Sequence, residues 1–280
     1  MKRKKIGFTA IELLTVLAIV ALLTGLLLPA LNVVRRVARE TKQKAQFAAI
    51  ELALTAFKND YGDYPSSDWL LPPAPHSDYC GAQKLAEALM GWDLLGFHPK
   101  SNFRSNGYND NGLFIYDTNN PVFFDQRRGP YLELATISAF RLGNISILKP
   151  GLFYSTAPLH ADTFVLCDVF GTKKTTLANG KAVKAGTPIL YYRANTSGKA
   201  IREIYDASDN DALVLVKQQA DRREHPLSWP ANRFGFFYDY IRDPKIAARP
   251  WPYRPDSYIL ISAGADGLYG TGDDIRNFED

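Results

Sequence analysis

Four carboxylates in this chain of 280 residues stand where their surroundings demand an explanation. Glu12 lies at the edge of an almost unbroken apolar run, since from Leu13 to Leu31 only Thr15 and Thr24 carry polar side chains. An ionised carboxylate inside hydrocarbon costs several kcal/mol unless it is paired, so Glu12 calls for a cationic partner. Asp266, Asp273 and Asp274 fall in the glycine-rich stretch Ser262-Ala263-Gly264-Ala265-Asp266-Gly267-Leu268-Tyr269-Gly270-Thr271-Gly272-Asp273-Asp274-Ile275. Carboxylates this close repel one another unless they spread into solvent or gather round a hard cation. Glycines let backbone carbonyls turn inward, and calcium takes about six to eight oxygen ligands of that mixed kind. The EF-hand frame D-x-[DN]-x-[DN]-G-x5-E is absent, so the choice here is a calcium loop of another type or an acidic surface turn. Gly267-x-x-Gly270-x-Gly272 has no strand-loop-helix context and is no nucleotide signal.

Other chemistry is thinly represented. His76, His98, His160 and His225 are scattered without a metal-ligand spacing, and no Gly-x-Ser-x-Gly elbow occurs. Asp60 and Asp63 flank aromatic residues, yet nothing nearby supplies a matched acid-base pair. The expectation is that the chain is not an enzyme. Cys80 and Cys167 are the only cysteines; an oxidising compartment permits a disulfide between them, and two separately buried thiols are the other reading.

These residues need elements to hold them. The leader Lys2-Arg3-Lys4-Lys5 precedes the apolar run, which is long enough to cross a bilayer core of roughly 30 Å as a helix. A cleaved secretory signal fits poorly, because the run is too long and no A-x-A-like site follows it. A plain signal anchor explains the lysines and the length but leaves Glu12 unexplained. Apolar residues continue past Pro29 at three- and four-residue spacing through Leu31, Val33, Val34, Val37, Ala38, Ala45, Ala48, Ala49, Leu52, Ala53, Ala56 and Phe57, with Arg35, Arg36, Arg39, Glu40, Lys42, Lys44 and Glu51 between them. This spacing predicts one helix from Phe8 to about Asn59, on the order of 80 Å long, with a kink or local melting near Gly25 and Pro29. Asn59-Asp60-Tyr61-Gly62-Asp63-Tyr64-Pro65 then ends it.

Beyond the helix, residues 66–78 read as a connector and 83–90 as a short amphipathic helix stopped by Gly91, with Leu85 and Leu89 inward. An Asn/Gly/Asp-rich loop at 99–120 reads as exposed. β-Branched and aromatic runs at 163–167, 189–193, 212–216 and 257–262 predict strands. The aromatics Phe234, Phe236, Phe237, Tyr238 and Tyr240 read as core cover. The formal charge of +4 resides in the leader, since removing residues 1–7 leaves 29 basic and 29 acidic residues. No persistent basic stripe for nucleic acid is expected.

The combination Gly7-Phe8-Thr9-Ala10-Ile11-Glu12, preceded by lysines and followed by the apolar run, resembles the class III leader of type IV pilins and type II secretion pseudopilins. Pro29 near the junction, Gly62-x-Tyr64-Pro65 at the helix end, and Gly129-Pro130-Tyr131 resemble further pseudopilin elements, closest to the major subunit. Asp168-Val169-Phe170-Gly171 and Thr187-Pro188-Ile189-Leu190-Tyr191 look like that family's Asp-Pro-Trp-Gly-x-Pro-Tyr corner split by an insertion, with Val169 and Phe170 replacing Pro and Trp. The terminal loop resembles the calcium loop of major pseudopilins.

The resemblance implies an α+β fold, with a long N-terminal helix, transmembrane in its first half, packed on an antiparallel pilin-like sheet. The implied parts are a leader at 1–7, a filament-core half-helix at 8–31, an amphipathic half-helix at 32–60, and a head at 61–280. That head carries insertions near 172–186 and 194–255 and the calcium-type loop at 262–275. A prepilin peptidase would cut after Gly7 and Phe8 would be N-methylated. Glu12, then one helical turn from the new amine, would pair with the Phe8 amine of a neighbouring subunit. Asp266, Asp273 and Asp274 would supply side-chain ligands to calcium, with Leu268 and Thr271 contributing backbone or hydroxyl oxygen. Function would be structural: a filament with other pseudopilins on an inner-membrane assembly platform, single-pass, head in the periplasm, serving protein export. A type IV pilin for adhesion, motility or DNA uptake is the nearest alternative, and a membrane-anchored extracytoplasmic binding or enzyme module is the alternative of another class.

Overall fold

Strand patterning decides how this chain is layered. The computed structural model describes residues 9–69, 79–145, 162–171, 173–177, 180–214, 225–228 and 233–278; the side chains of 26–30, 173, 228, 233 and 234 lie outside the description. The chain falls into two units, Met1–Lys42 and Gln43–Asp280, both drawing on helix α1 (Ala10–Tyr61).

In the first unit α1 is assigned helical throughout, including Gly25 and Pro29, so the expected melting there does not occur. Its large apolar side chains stand in solvent, from Ile11 at 73% exposure through Leu17, Leu22 and Leu23 to Val34 at 63%. Among the described residues no helix is long and apolar enough to cross a membrane; the described side chains of this apolar stretch break off after Gly25 and resume at Leu31. α1 ends where Gly62 takes φ +86° and donates its N–H to the Lys58 carbonyl at 2.7 Å, a left-handed cap that glycine adopts without a Cβ penalty.

In the second unit the face of α1 that is buried consists of Gln43, Gln46, Phe47, Ile50, Ala53, Leu54 and Phe57. This corrects the reading of one continuous apolar stripe from Leu31 to Phe57. Val33, Val34, Val37 and Leu52 are exposed. Two interleaved three- and four-residue series occur, and periodicity alone does not say which of them a head covers. Within the second unit the covered face of α1 runs from Gln43 to Phe57.

Helix α2 (Gly81–Met90) is buried at all ten residues, so the expected one-sided amphipathic helix is instead enclosed. Leu85 and Leu89 do point into apolar core, and α2 packs with Phe47, Ile50, Leu54 and Phe57 of α1. Its first turn approaches the sheet so closely that a Cβ on Gly81 would meet the Tyr191 carbonyl at 2.4 Å. The excursion that follows is more ordered than expected: Ser105, Asn109, Ile115 and Tyr116 are buried, and Arg127 bonds both Asp93 oxygens at 2.8 and 2.9 Å between the rings of Tyr116 and Phe124. Phe124 belongs to α3 (Pro121–Asp125), which Asn120 caps through the Val122 N–H.

Among the described residues the β structure consists of three small antiparallel sheets. β1 (Ser138–Arg141) pairs β2 (Phe164–Cys167) in the register Ser138 to Cys167. β3 (Lys173–Thr176) and β4 (Ala182–Ala185) form a hairpin. β5 (Leu190–Arg193) pairs β6 (Tyr258–Ser262), with Leu190 opposite Ile261, and β6 pairs β7 (Ile275–Arg276). Neighbouring residues in a strand face opposite ways, and here both faces are covered. Tyr191, Tyr258 and Leu260 join the core of α1 and α2. Leu190, Tyr192, Ile259 and Ile261 join a second core with Ile201, Ile204, Tyr205, Leu213, Phe237 and Ile241. The insertion at 194–255 is thus the layer over the far face of the sheet. It contains α4 (Ile201–Ile204), α5 (Asp211–Val214) and α6 (Arg233–Tyr240). The strand expected at 212–216 is corrected by α5, where Ala212, Leu213 and Val214 are all buried; a short apolar run has no periodicity to separate buried helix from buried strand. Phe237 and Tyr238 are core, as expected of the aromatics in α6.

Candidate functional site

The first described residues are built around Glu12. Thr9 N–H and Thr9 Oγ1 donate to Glu12 Oε2 at 2.8 and 2.6 Å, and Glu12 N–H lies 3.3 Å from Thr9 Oγ1. This is a reciprocal capping arrangement in which threonine and glutamate three residues apart satisfy otherwise orphaned helix donors. The carboxylate is therefore held at the start of α1, and its hydrogen-bond partners there are local. Gly7 and Phe8 lie outside the described residues.

The split corner is closed by one buried side chain. Asp168 Oδ1 accepts from the Phe170 and Thr187 N–H groups at 3.1 and 3.2 Å, and Ser262 Oγ donates to Asp168 Oδ2 at 3.3 Å. Asp168 N–H reaches the Thr187 carbonyl at 2.9 Å and Ile189 N–H the Leu166 carbonyl at 2.7 Å. The insertion leaves and re-enters the core at this point as the β3–β4 hairpin, so extra residues do not separate β2 from β5. α1 is tied to the same corner, with Gln46 Nε2 donating to the Cys167 carbonyl at 2.8 Å and Val169 N–H donating to Gln43 Oε1 at 3.0 Å.

The terminal loop joins β6 to β7 and brings Asp266, Asp273, Asp274, Leu268 and Thr271 into one turn. Asp273 Oδ2 accepts from the N–H groups of Ala265 and Asp266 at 2.7 and 3.0 Å, and Thr271 Oγ1 donates to Asp273 Oδ1 at 2.6 Å. Asp266 Oδ1 accepts from Leu268 N–H at 2.8 Å. Asp274 Oδ2 accepts from Gly270 N–H at 2.7 Å and from the Tyr240 hydroxyl. Burial pushes the Asp274 carboxyl up to about 6, against the pull of those donors. Gly264 has φ +63°, and a Cβ there would meet the Asp273 carbonyl at 2.2 Å. The three carboxylates are spread along the loop and turned onto its own donors. Among the described residues no three acidic, histidine or cysteine side chains gather as a metal would require. In this arrangement the three carboxylates face N–H and O–H donors, and these hydrogen bonds hold the loop.

Cys80 and Cys167 are free thiols, both buried in the core on the insertion side of the sheet, and burial pushes the Cys80 thiol up to about 11. The disulfide expected as one reading is absent between these described residues. Cys80 instead caps α2, with its N–H donated to Gln83 Oε1 at 2.9 Å. His98 and His225 are buried, and His225 Nδ1 accepts from Tyr269 N–H at 3.1 Å; His76 and His160 lie outside the described residues.

A polar cluster beside α2 escaped the sequence reading. Ser67 Oγ donates to buried Asp209 at 2.5 Å and accepts from Arg193 N–H at 2.9 Å, while Lys84 Nζ reaches the Asp68 carbonyl. Burial raises Asp209 to about 7, aided by Asp206 and Asp68 and opposed by Ser67 and Lys84. Glu87, also buried, accepts from Tyr116 Oη at 2.8 Å and Ser101 Oγ at 2.5 Å, and burial raises its carboxyl as well. A cleft of about 280 Å³ lined by Asp68, Arg193, Ala194 and Asn195 adjoins this cluster, with Arg193 engaged by Asp63 at 2.5 Å. The sequence signal was the pair of charged residues Lys84 and Glu87 in a helix, 81–90, that the fold encloses. Compared with protein-family models, with curated proteins and with solved structures, the chain matches none of them.

Proposed function

We propose that this protein is a filament subunit of the pseudopilin kind, processed between Gly7 and Phe8 and assembled through α1 into a type II secretion pseudopilus. The observation that carries the reading is a division of labour along one helix. From Ile11 to Val37 the large apolar side chains described are exposed, whereas from Gln43 the same helix is built into a head with its own cores. An exposed apolar helix of this kind needs a membrane or other helices to cover it, and a subunit stored in a bilayer and then bundled in a filament supplies both in turn.

In this reading the apolar half-helix spans the inner membrane with the head in the periplasm. Arg35, Arg36, Arg39, Lys42 and Lys44 follow the apolar run, so the leader's charge does not orient the helix by itself. Orientation rests on the need to present Gly7-Phe8 to a cytoplasmic-side peptidase. Once the neighbouring subunit's Phe8 amine approaches Glu12, opposite charges meet in a low-dielectric setting, and the Thr9 cap holds the carboxylate at the helix start until then. Other pseudopilins and an inner-membrane assembly platform are the partners of such a subunit.

Calcium at the terminal loop belongs to the proposal on the strength of the resemblance, and would require Asp266, Asp273 and Asp274 to exchange backbone donors for the ion. Asp273→Ala does not report on the metal, because it removes three hydrogen bonds in any case. The diagnostic is the thermal midpoint of the unsubstituted head with calcium and with chelator: a higher midpoint in calcium supports the site, and equal midpoints remove it.

Mass spectrometry of the membrane-extracted protein tests the processing, with an N-methylated Phe8 terminus expected; an intact Met1 or a cut elsewhere overturns the reading. Deleting the gene and comparing secreted proteins with surface filaments tests the role. Loss of secreted proteins is expected, and loss of surface filaments with secretion intact assigns the chain to adhesion, motility or DNA uptake instead.

A further inference from the structure

The segment of α1 just beyond the apolar run has two faces, one basic and one apolar. At about 3.6 residues per turn, Arg35, Arg39 and Lys42 fall on one side with Arg36 at its margin, and Val33, Val34, Val37, Ala38 and Thr41 fall on the other. All nine are exposed, with Val34 at 63% and Val37 at 50%. The described ion pairs give this cationic face one contact, Arg36 with Glu40 at 3.7 Å, and the Arg36 side chain remains 67% exposed in it.

We infer that residues 31–42, continuing α1 as it leaves the hydrocarbon, engage an anionic lipid surface, with the valine face toward the acyl-chain boundary and the arginines among phosphate headgroups. The inference rests on the membrane-anchored reading above. Charge complementarity selects the occupant: a basic face opposite an apolar face is the pattern that binds anionic lipid surfaces, whereas a second copy of this segment would bring like charges together. Continuity selects it too, because the segment follows directly on the apolar run and would meet the headgroup layer as the helix leaves the hydrocarbon. Long basic side chains reach outward from such a position while their stems stay on apolar surface. The surface would hold the stored subunit close to the membrane, and filament entry would have to release it.

The test uses the full processed chain carrying Val37→Cys labelled with a nitroxide, the buried Cys80 and Cys167 being shielded. The chain is reconstituted in vesicles of phosphatidylcholine alone or of phosphatidylcholine with a minority of phosphatidylglycerol. Sedimentation with the vesicles after alkaline washing reports the anchor, and accessibility of the label to a water-soluble relaxation agent reports the interface. Protection of the label is expected only with phosphatidylglycerol. Arg35→Gln with Arg36→Gln and Arg39→Gln should weaken the surface association on the order of a hundredfold and return the label to water while the chain still sediments. Equal accessibility in both lipids, or protection unchanged by the triple variant, overturns the inference. Protection that follows protein concentration regardless of lipid means a second copy covers the face, which also overturns it. A chain that sediments with neither vesicle overturns the anchored reading itself, and the inference with it.

Discussion

At the scale of single residues, three carboxylates carry separable consequences. Asp209 holds its proton to about pH 7 in the folded state, against an unfolded value near 3.8. The folded chain therefore binds more protons than the unfolded chain between about pH 4 and pH 7, and stability falls as pH rises through that window. Asp274, raised to about 6, acts with the same sign over a narrower span. Asp209→Asn should match the parent near pH 4 and exceed it at pH 8 by a few kcal/mol at most, read as urea midpoints at both pH values. Equal displacement at both would show that Asp209 does not titrate in this window. The Glu12 carboxylate makes its described hydrogen bonds to Thr9 alone, so Glu12→Ala should leave the midpoint of the head unchanged while filament assembly, scored by electron microscopy or cross-linking, is lost. Normal filaments from that variant would end the assembly role.

At the scale of elements, α1 contains its own control experiment. Leu54 is fully buried and Leu52 is 73% exposed, two positions apart in one helix. Leu54→Ala should cost about 2–5 kcal/mol and Leu52→Ala within about 0.5 kcal/mol in chemical denaturation. A comparable loss at both would mean that the covered face is wrongly assigned. The terminal loop offers a second case, because Gly264 needs both a left-handed backbone and the absence of a Cβ against the Asp273 carbonyl. Gly264→Ala should cost more than about 1 kcal/mol and loosen the β6–β7 turn, visible as faster amide exchange at Ile261 and Ile275. The corner at Asp168 makes the complementary point that an insertion is tolerated when its ends meet: Asp168 bonds directly to Thr187 across the β3–β4 hairpin.

At the scale of the molecule, the division after Lys42 predicts what can be removed. A chain beginning at Val33 should fold cooperatively and stay soluble, since the cores draw on α1 only from Phe47 onward. A chain beginning beyond Leu54 should not, because Phe47, Ile50 and Leu54 leave with it. Calorimetry on the two truncations separates the outcomes, and a two-state transition from the shorter chain would show that α1 is dispensable to the head.

Sequence by itself determined the long helix, its end to within two residues of Tyr61, and the positions of β2, β5 and β6, because sustained apolar spacing and Asn/Gly/Pro punctuation are local signals. It also singled out Glu12 and the terminal aspartates, since a charge in an apolar run and acidic residues among glycines are conspicuous without any fold. Tertiary structure decided which stripe of α1 is covered, that 211–214 is helix, that 81–90 is enclosed, and that residues 194–255 form the second layer over β5 and β6. Each of these depends on what lies against a side chain, and a run such as Ala212-Leu213-Val214 is equally apolar in either conformation. The aspartates of the terminal loop show the same limit: their spacing announced a cluster, but only the fold turned Asp273 onto the amides of Ala265 and Asp266 and Asp274 onto Gly270. Hydrogen-bond direction is set by backbone path, and that path is fixed by the pairing of β6 with β7.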